Sequence, residues 1–241
     1  MRHFRRQVLV SAVLLGLCTI TSVVDADTIN TSNIQSIASS GPTFPGTSGT
    51  HFHSALGLPV EVGNLFPLPG IEEDVRGVAE FNLISQSLSS AALSFVLAGF
   101  GGYFQGGPGN YTINVFAYPG DNSIALSDYQ APAIALLGSF STVGMVVGQS
   151  FSFDATAPFN AALLSSGGTG SLGIRLQPAT DPGAGLGGGF ANRFGNFQLN
   201  TALIPEPSSV VLFGTGALLI GYLWWRRKPG HTPQQVEPGK S

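Results

Sequence analysis

Residues 75–84, Val-Arg-Gly-Val-Ala-Glu-Phe-Asn-Leu-Ile, contain the clearest strand pattern of the chain. From Ala79 onward, three apolar side chains alternate with Glu80 and Asn82. This alternation would place the apolar side chains on one face of an extended segment and the polar ones on the other. It predicts a β-strand that packs one face against a core.

The same kind of signal recurs along the body of the chain. Further strands are predicted at residues 28–38, 88–98, 111–118, 134–140, 143–153, 172–177 and 197–203. Segments rich in Gly, Pro, Ser and Asn separate them and favour turns. One helical turn is predicted at 160–165, between Pro158 and Gly167. Many short strands predict an all-β fold, a single antiparallel β-sandwich or jelly roll over residues 27–203.

Composition restricts what this domain can do. Charged residues make up 10% of the 241-residue chain, against about 25% in a typical soluble domain. Residues 27–203 contain three arginines and no lysine, against ten Asp and Glu residues. Such an acidic surface excludes the basic footprint of a nucleic-acid-binding protein.

The first 26 residues have the organisation of a secretory signal peptide. Basic residues between Arg2 and Arg6 precede an apolar run at 8–20, and small residues follow up to Ala26. We predict cleavage by signal peptidase after Ala26. The single cysteine, Cys18, follows the large Leu17, so a lipoprotein box is not predicted. Cleavage would leave a mature chain without disulfides or thiol chemistry.

The C-terminal region combines three features. Pro205 and Pro207 fix the backbone around Glu206 in a stiff, extended conformation. An apolar run at 210–225 follows and would span about 24 Å as a transmembrane helix. A basic cluster then ends the segment and should stay cytoplasmic, which sets the topology: Arg226, Arg227 and Lys228.

Residues 204–228 resemble the PEP-CTERM sorting signal of Gram-negative bacteria. The resemblance implies recognition of Pro205, Glu206 and Pro207 by a membrane-embedded exosortase, which would remove the anchor. Proteins with this signal are exported, often in species that make extracellular polysaccharide. Residues 229–241 depart from the pattern, because the family usually ends at the basic cluster, and we predict a disordered tail there. The alternative is an ordinary C-terminal membrane anchor.

The body is also similar to DNRLRE-type modules. The similarity lies in five strand segments and one turn: Asp74–Leu83, Ser90–Phe95, Val115–Tyr118, the turn Ser127–Tyr129, Phe153–Thr156 and Gly173–Leu176. It implies a jelly-roll β-sandwich, a fold of which several members bind carbohydrate. The motif that names the family is represented only by Asp74 and Arg76, so no binding residue is transferred.

His51 and His53 would lie on one face of a strand, where two imidazoles can share a metal ion. They are the only histidines of residues 27–203, and the sequence nearby offers no evident third ligand. We therefore interpret them as surface histidines in a loop and predict no metal and no cofactor. Residues 183–188 match the Gly-x-Gly-x-x-Gly dinucleotide pattern, but they follow Pro182 rather than a strand and predict a flexible loop.

Acidic residues offer two further kinds of site. Glu72, Glu73 and Asp74 could bind calcium together with Asp121, Asp128 or Asp154. Because the spacing fits no defined calcium loop, a solvated acidic turn is the preferred interpretation. A pair of carboxylates could also serve a glycosidase, although the chain lacks a Gly-x-Ser-x-Gly elbow.

These observations predict a non-enzymatic, exported β-sandwich protein that an exosortase sorts to the envelope, cell surface or matrix. Before processing, its C-terminal helix would anchor it in the inner membrane. The first alternative is a carbohydrate-binding module for extracellular polysaccharide, since aromatic side chains stack on sugar rings. Its candidate residues are Tyr103, Phe104, Tyr118 and Tyr129. The second alternative is a polysaccharide-active hydrolase.

Overall fold

The computed structural model describes residues 26–31, 33–41, 44–68, 71–101, 108–182, 188–204, 216 and 218–223. The strands are β1 Ala26–Asn30, β2 Asn33–Gly41, β3 His51–Phe52, β4 Val60–Leu68, β5 Ile71–Asn82, β6 Leu88–Gly101, β7 Thr112–Gly120, β8 Ala135–Ser141, β9 Ser150–Asp154, β10 Ser171–Pro178 and β11 Gly189–Leu203. A 3-10 helix at Leu126–Gln130 and an α-helix, α1, at Thr156–Ser166 complete the described elements.

All strand pairs among the described residues are antiparallel and belong to one sheet. The main path runs β8-β7-β10-β5-β4-β11-β6-β9, with β1 beside β11, β2 beside β5 and β3 beside β2. The prediction of an all-β, antiparallel fold is therefore confirmed. The jelly-roll resemblance stays a prediction.

The sheet curls so that the strands at the two ends of its path meet over one core. Phe140 of β8 and Phe151 of β9 have ring centroids 4.3 Å apart. Both rings also lie against Phe95 of β6, with centroids at 6.0 and 5.4 Å. Phe194 and Phe197 of β11 close the cluster from another strand. Phe95, Phe194 and Phe197 are buried and Phe140 and Phe151 are partly buried, so the packing of these rings contributes to the apolar stabilisation of the fold.

Strand β5 is the central element of the sheet. Strand β2 pairs along most of one edge of β5, while β4 and β10 share the other edge. Ala79 and Phe81 face the phenylalanine core, as the sequence pattern predicts. The opposite face is buried as well, since Val78 packs with Tyr118 and Tyr129.

A bulge in β11 allows two phenylalanines of opposite parity to reach the same core. Phe194 and Phe197 are three residues apart, so a regular strand would point them to opposite faces. The register with β6 shifts between Gly195 and Gln198, and Asn196 has φ of 54°. An extra residue of this kind reverses the alternation. Both rings are consequently buried.

Several sequence predictions differ from the structure in their bounds. Residues 28–38 form two strands, and the strand predicted at 143–153 is reduced to β9, because Val143, Val146 and Val147 lie exposed in turns. The sequence patterns do not predict strands β3 and β4. The predicted helical turn is the centre of α1, which ends where Gly167 adopts a left-handed φ of 63°.

Tyr111 links β7 to two other strands through its hydroxyl. The hydroxyl donates to Val62 O at 2.7 Å and accepts from Asn192 Nδ2 at 2.7 Å. We expect Tyr111→Phe to lower the free energy of unfolding by about 1–2 kcal/mol, because buried partners lose hydrogen bonds while the ring stays. Urea unfolding followed by circular dichroism measures the loss. An unchanged midpoint would contradict this role for the hydroxyl.

Candidate functional site

Strand β2 lies between β3 and β5 and pairs with both, although β3 and β5 are distant in sequence. Ala38 of β2 pairs with His51 on one side and with Val75 on the other. The segment after β3 is held to β2 as well, since the His53 amide donates to Ser36 O at 2.9 Å. This pairing places both histidines close to Glu73.

His51 contacts Glu73 through one ring nitrogen and Thr50 through the other. Its Nε2 lies 3.5 Å from Glu73 Oε1, and its Nδ1 lies 3.1 Å from Thr50 Oγ1. The Thr50 hydroxyl donates its single proton to Ala38 O at 3.1 Å. It can therefore only accept from His51. This contact favours the Nδ1–H tautomer, in which the Nε2 lone pair points towards Glu73.

His53 lies between two carboxylates. Its Nδ1 is 3.3 Å from Glu73 Oε2, and its Nε2 is 3.6 Å from Glu61 Oε2. Glu61 is also 3.4 Å from Nε of Arg193. The His53 side chain is 14% exposed, whereas that of His51 is 41% exposed. The cluster is therefore reached from solvent past His51.

The charges in this cluster shift each other's pKa values. Burial opposes the charged form of His53, but its contacts with Glu61 and Glu73 outweigh that effect and raise the pKa of His53 to about 9. The contact with His53 in turn lowers the pKa of Glu73. At neutral pH His53 is thus an imidazolium that bridges two carboxylates.

One ligand atom from each of His51, His53 and Glu73 lies within 4.8 Å of the others. The interpretation of the histidines as loop residues is corrected for His51, which belongs to β3, whereas His53 follows the strand. Glu73 of β5 supplies the third potential ligand atom that the nearby sequence does not offer. Glu73 follows His53 by twenty residues. Only the register of β3 and β5 with β2 could have identified Glu73 as a neighbour of the histidines.

The other acids proposed for calcium do not join this cluster. Glu72 accepts from Asn64 Nδ2 at 3.2 Å, and Asp74 pairs with Arg76 at 3.0 Å. The remaining three acids accept hydrogen bonds from backbone amides of their own turns: Asp121, Asp128 and Asp154. A solvated acidic turn at 72–74 is also wrong, because the segment lies in β5 and Asp74 is 2% exposed.

Of the four aromatic residues proposed for sugar stacking, two are buried and two lie outside the described residues. Tyr118 and Tyr129 are fully buried, so they are not available to a ligand. Tyr103 and Phe104 lie outside the described residues, as do residues 183–187 of the glycine-rich pattern. The carbohydrate-binding hypothesis therefore loses half of its candidate residues.

Most of the sorting and processing residues also lie outside the described part of the chain: Pro205, Glu206, Pro207, Arg226, Arg227 and Lys228. Ala26, the predicted cleavage position, is the first residue of β1 and pairs with Ala202. Within the predicted membrane segment, residues 216 and 218–223 are helical. Among the residues the structure describes, no helix has the length and apolar character needed to cross a membrane.

Comparison with known proteins supports the interpretation of the C-terminus. Residues 203–228 match the PEP-CTERM protein-sorting motif. The match confirms the sorting signal predicted from the sequence and implies export and processing by an exosortase. No curated protein is significantly similar to the chain.

Proposed function

We propose that this protein is a non-enzymatic β-sheet protein that an exosortase releases from its anchor and delivers to the cell envelope or extracellular matrix. The sorting motif carries this proposal. The described domain ends at Ile204, whose amide donates to Ser87 O at 3.4 Å, directly before Pro205. The motif thus follows immediately after a folded domain that serves as its cargo.

The polar residues of the domain support a structural role. Glu80 is fully buried and accepts from Ser171 Oγ at 2.7 Å. Asp74 is buried with Arg76, and Glu61 and Glu73 are engaged with His53. A glycosidase needs two carboxylates that flank an open cleft. These four acids are instead engaged with other side chains of the domain, which favours a binding or structural protein over a hydrolase.

The C-terminal peptide of the native protein tests the proposal. Membrane and secreted fractions would be separated, and the terminus of the protein in each would be identified by mass spectrometry. We expect a secreted form that ends near Pro205–Ser208. The full terminus at Ser241, found only in membranes, would identify a plain anchored protein and contradict exosortase release.

Glycan arrays distinguish the structural role from carbohydrate binding. We expect no binding of the native secreted form to polysaccharides from the producing cells. Saturable binding to one of them would favour the carbohydrate-binding alternative and leave the sorting proposal intact.

A further inference from the structure

We propose that His51 Nε2, His53 Nδ1 and a carboxylate oxygen of Glu73 bind one divalent transition-metal ion such as Zn²⁺. The three groups converge from β3, the residues after it and β5. The proposal concerns the folded domain and does not depend on how the C-terminus is processed.

The spacing of the ligand atoms fits the size of such an ion. Zinc binds imidazole nitrogen and carboxylate oxygen at about 2.0–2.1 Å in a tetrahedron, which places neighbouring ligand atoms about 3.3–3.4 Å apart. The His51 Nε2–Glu73 Oε1 and His53 Nδ1–Glu73 Oε2 distances are 3.5 and 3.3 Å. These two contacts involve different oxygens of Glu73, and one ligand atom of each residue lies within 4.8 Å of the others, so rotation of the side chains would bring three ligands onto one ion.

The contacts of the two histidines resemble those of histidines that bind metal ions. The second nitrogen of His51 contacts the Thr50 hydroxyl, and that of His53 faces Glu61. Metal-binding histidines usually donate their other N–H to such a partner, which fixes the tautomer and the ring orientation. In this structure, the second ring nitrogen of each histidine already faces such a partner.

The environment of Glu73 also favours a bound cation. The residue is 8% exposed, and its Oε2 is buried without a partner in hydrogen-bond geometry, although His53 Nδ1 lies 3.3 Å away. A buried carboxylate oxygen without a well-aligned donor is costly. A bound cation would satisfy it directly and would replace the proton on His53.

The ligand types determine which ions bind. Two imidazoles and one carboxylate suit Zn²⁺, Ni²⁺ and Cu²⁺, whereas Ca²⁺ and Mg²⁺ require mainly oxygen ligands. Three protein ligands leave the fourth position of a tetrahedral ion to water or to a group from another molecule. We expect selectivity for transition metals over Ca²⁺ and Mg²⁺.

Titration calorimetry with Zn²⁺ tests the site on the full chain. The protein would be produced with a histidine-free affinity tag, purified in detergent and stripped of metal with a chelator. We expect one Zn²⁺ per chain and at least 100-fold weaker binding in His53→Gln and Glu73→Gln. Glu61→Gln should weaken binding about 10- to 100-fold, because that residue orients His53. Glu72→Gln is the matched control and should bind as the unaltered chain does, since Glu72 contacts Asn64 instead.

Absence of Zn²⁺ binding, or binding that survives both ligand substitutions within threefold, would overturn the proposal. Chemical modification provides a test that needs no variant. The exposed ring of His51 should react with diethylpyrocarbonate in the stripped chain, and saturating Zn²⁺ should protect it. Peptide mapping that shows equal modification of His51 with and without Zn²⁺ would also overturn the proposal.

Discussion

Replacing Glu206 with alanine is expected to abolish release of the protein from the membrane and leave its sheet intact. Glu206 is the single charge between two prolines, a pattern that predicts an extended backbone. A stiff peptide loses little conformational entropy on docking. We therefore expect the carboxylate to be the contact by which an exosortase recognises the motif. Cells that produce Glu206→Ala should accumulate full-length protein in membranes, as detected by immunoblot and C-terminal mass spectrometry.

Glu237→Ala is the matched control for this experiment. It removes the same charge from the tail beyond the basic cluster, outside residues 203–228. We expect normal release of Glu237→Ala and an unchanged circular dichroism spectrum for both variants. Normal processing of Glu206→Ala would show that the carboxylate is not needed for recognition of the motif.

Local patterns were sufficient to predict the class of the fold and the sorting signal. The alternation around Phe81 and Leu93 predicts strands directly, because side chains with a period of two must share a face. The sorting signal is equally local, since its parts follow one another within residues 204–228. Both predictions depend on neighbouring residues only.

Strand β4 shows why some elements were missed. Its sequence contains Gly63, Asn64 and Pro67, which indicate a turn when read alone. In the structure, a Cβ at Gly63 would clash with Phe190 O. The glycine is therefore needed for close approach of β11 to β4. The requirement for glycine at this position therefore depends on tertiary packing, which the local sequence does not reveal.

The candidate metal site could not be predicted for a similar reason. Glu73 meets the histidines only because β2 pairs with both β3 and β5. That register cannot be derived from the spacing of the residues in the sequence. In the sequence, the acidic run at 72–74 indicates a single site, but successive side chains of a strand point to opposite faces. Glu73 therefore contacts the histidines, while Asp74 faces Arg76 on the other side.

Arg76→Met is expected to destabilise the domain by about 3–5 kcal/mol, because it leaves a buried carboxylate without its counter-ion. Arg76 and Asp74 are 7% and 2% exposed, and Arg76 Nη2 lies 3.0 Å from Asp74 Oδ2. Arg76 also donates to Tyr129 O at 2.7 Å, and its guanidinium lies 3.8 Å above the Tyr129 ring. Urea unfolding of the full chain in detergent measures the loss.

Arg175→Met is a matched control, since Arg175 is also buried and also lies near aromatic rings. Its guanidinium donates to the carbonyl oxygens of Asp128 and Ala131 at 3.1 and 2.9 Å. Its removal leaves neutral carbonyl groups, for which we expect a loss of about 1–3 kcal/mol. The difference between the two variants isolates the cost of an unpaired carboxylate.

The double variant Asp74→Asn/Arg76→Met separates this cost from lost packing. Asp74 Oδ2 also accepts from Tyr129 OH at 2.7 Å and from the Gly46 amide at 3.1 Å, contacts that an asparagine oxygen can keep. If the unpaired charge dominates, the double variant should be more stable than Arg76→Met alone, because coupled sites are not additive. Equal or lower stability of the double variant would instead assign the loss to the packing of Arg76 on Tyr129.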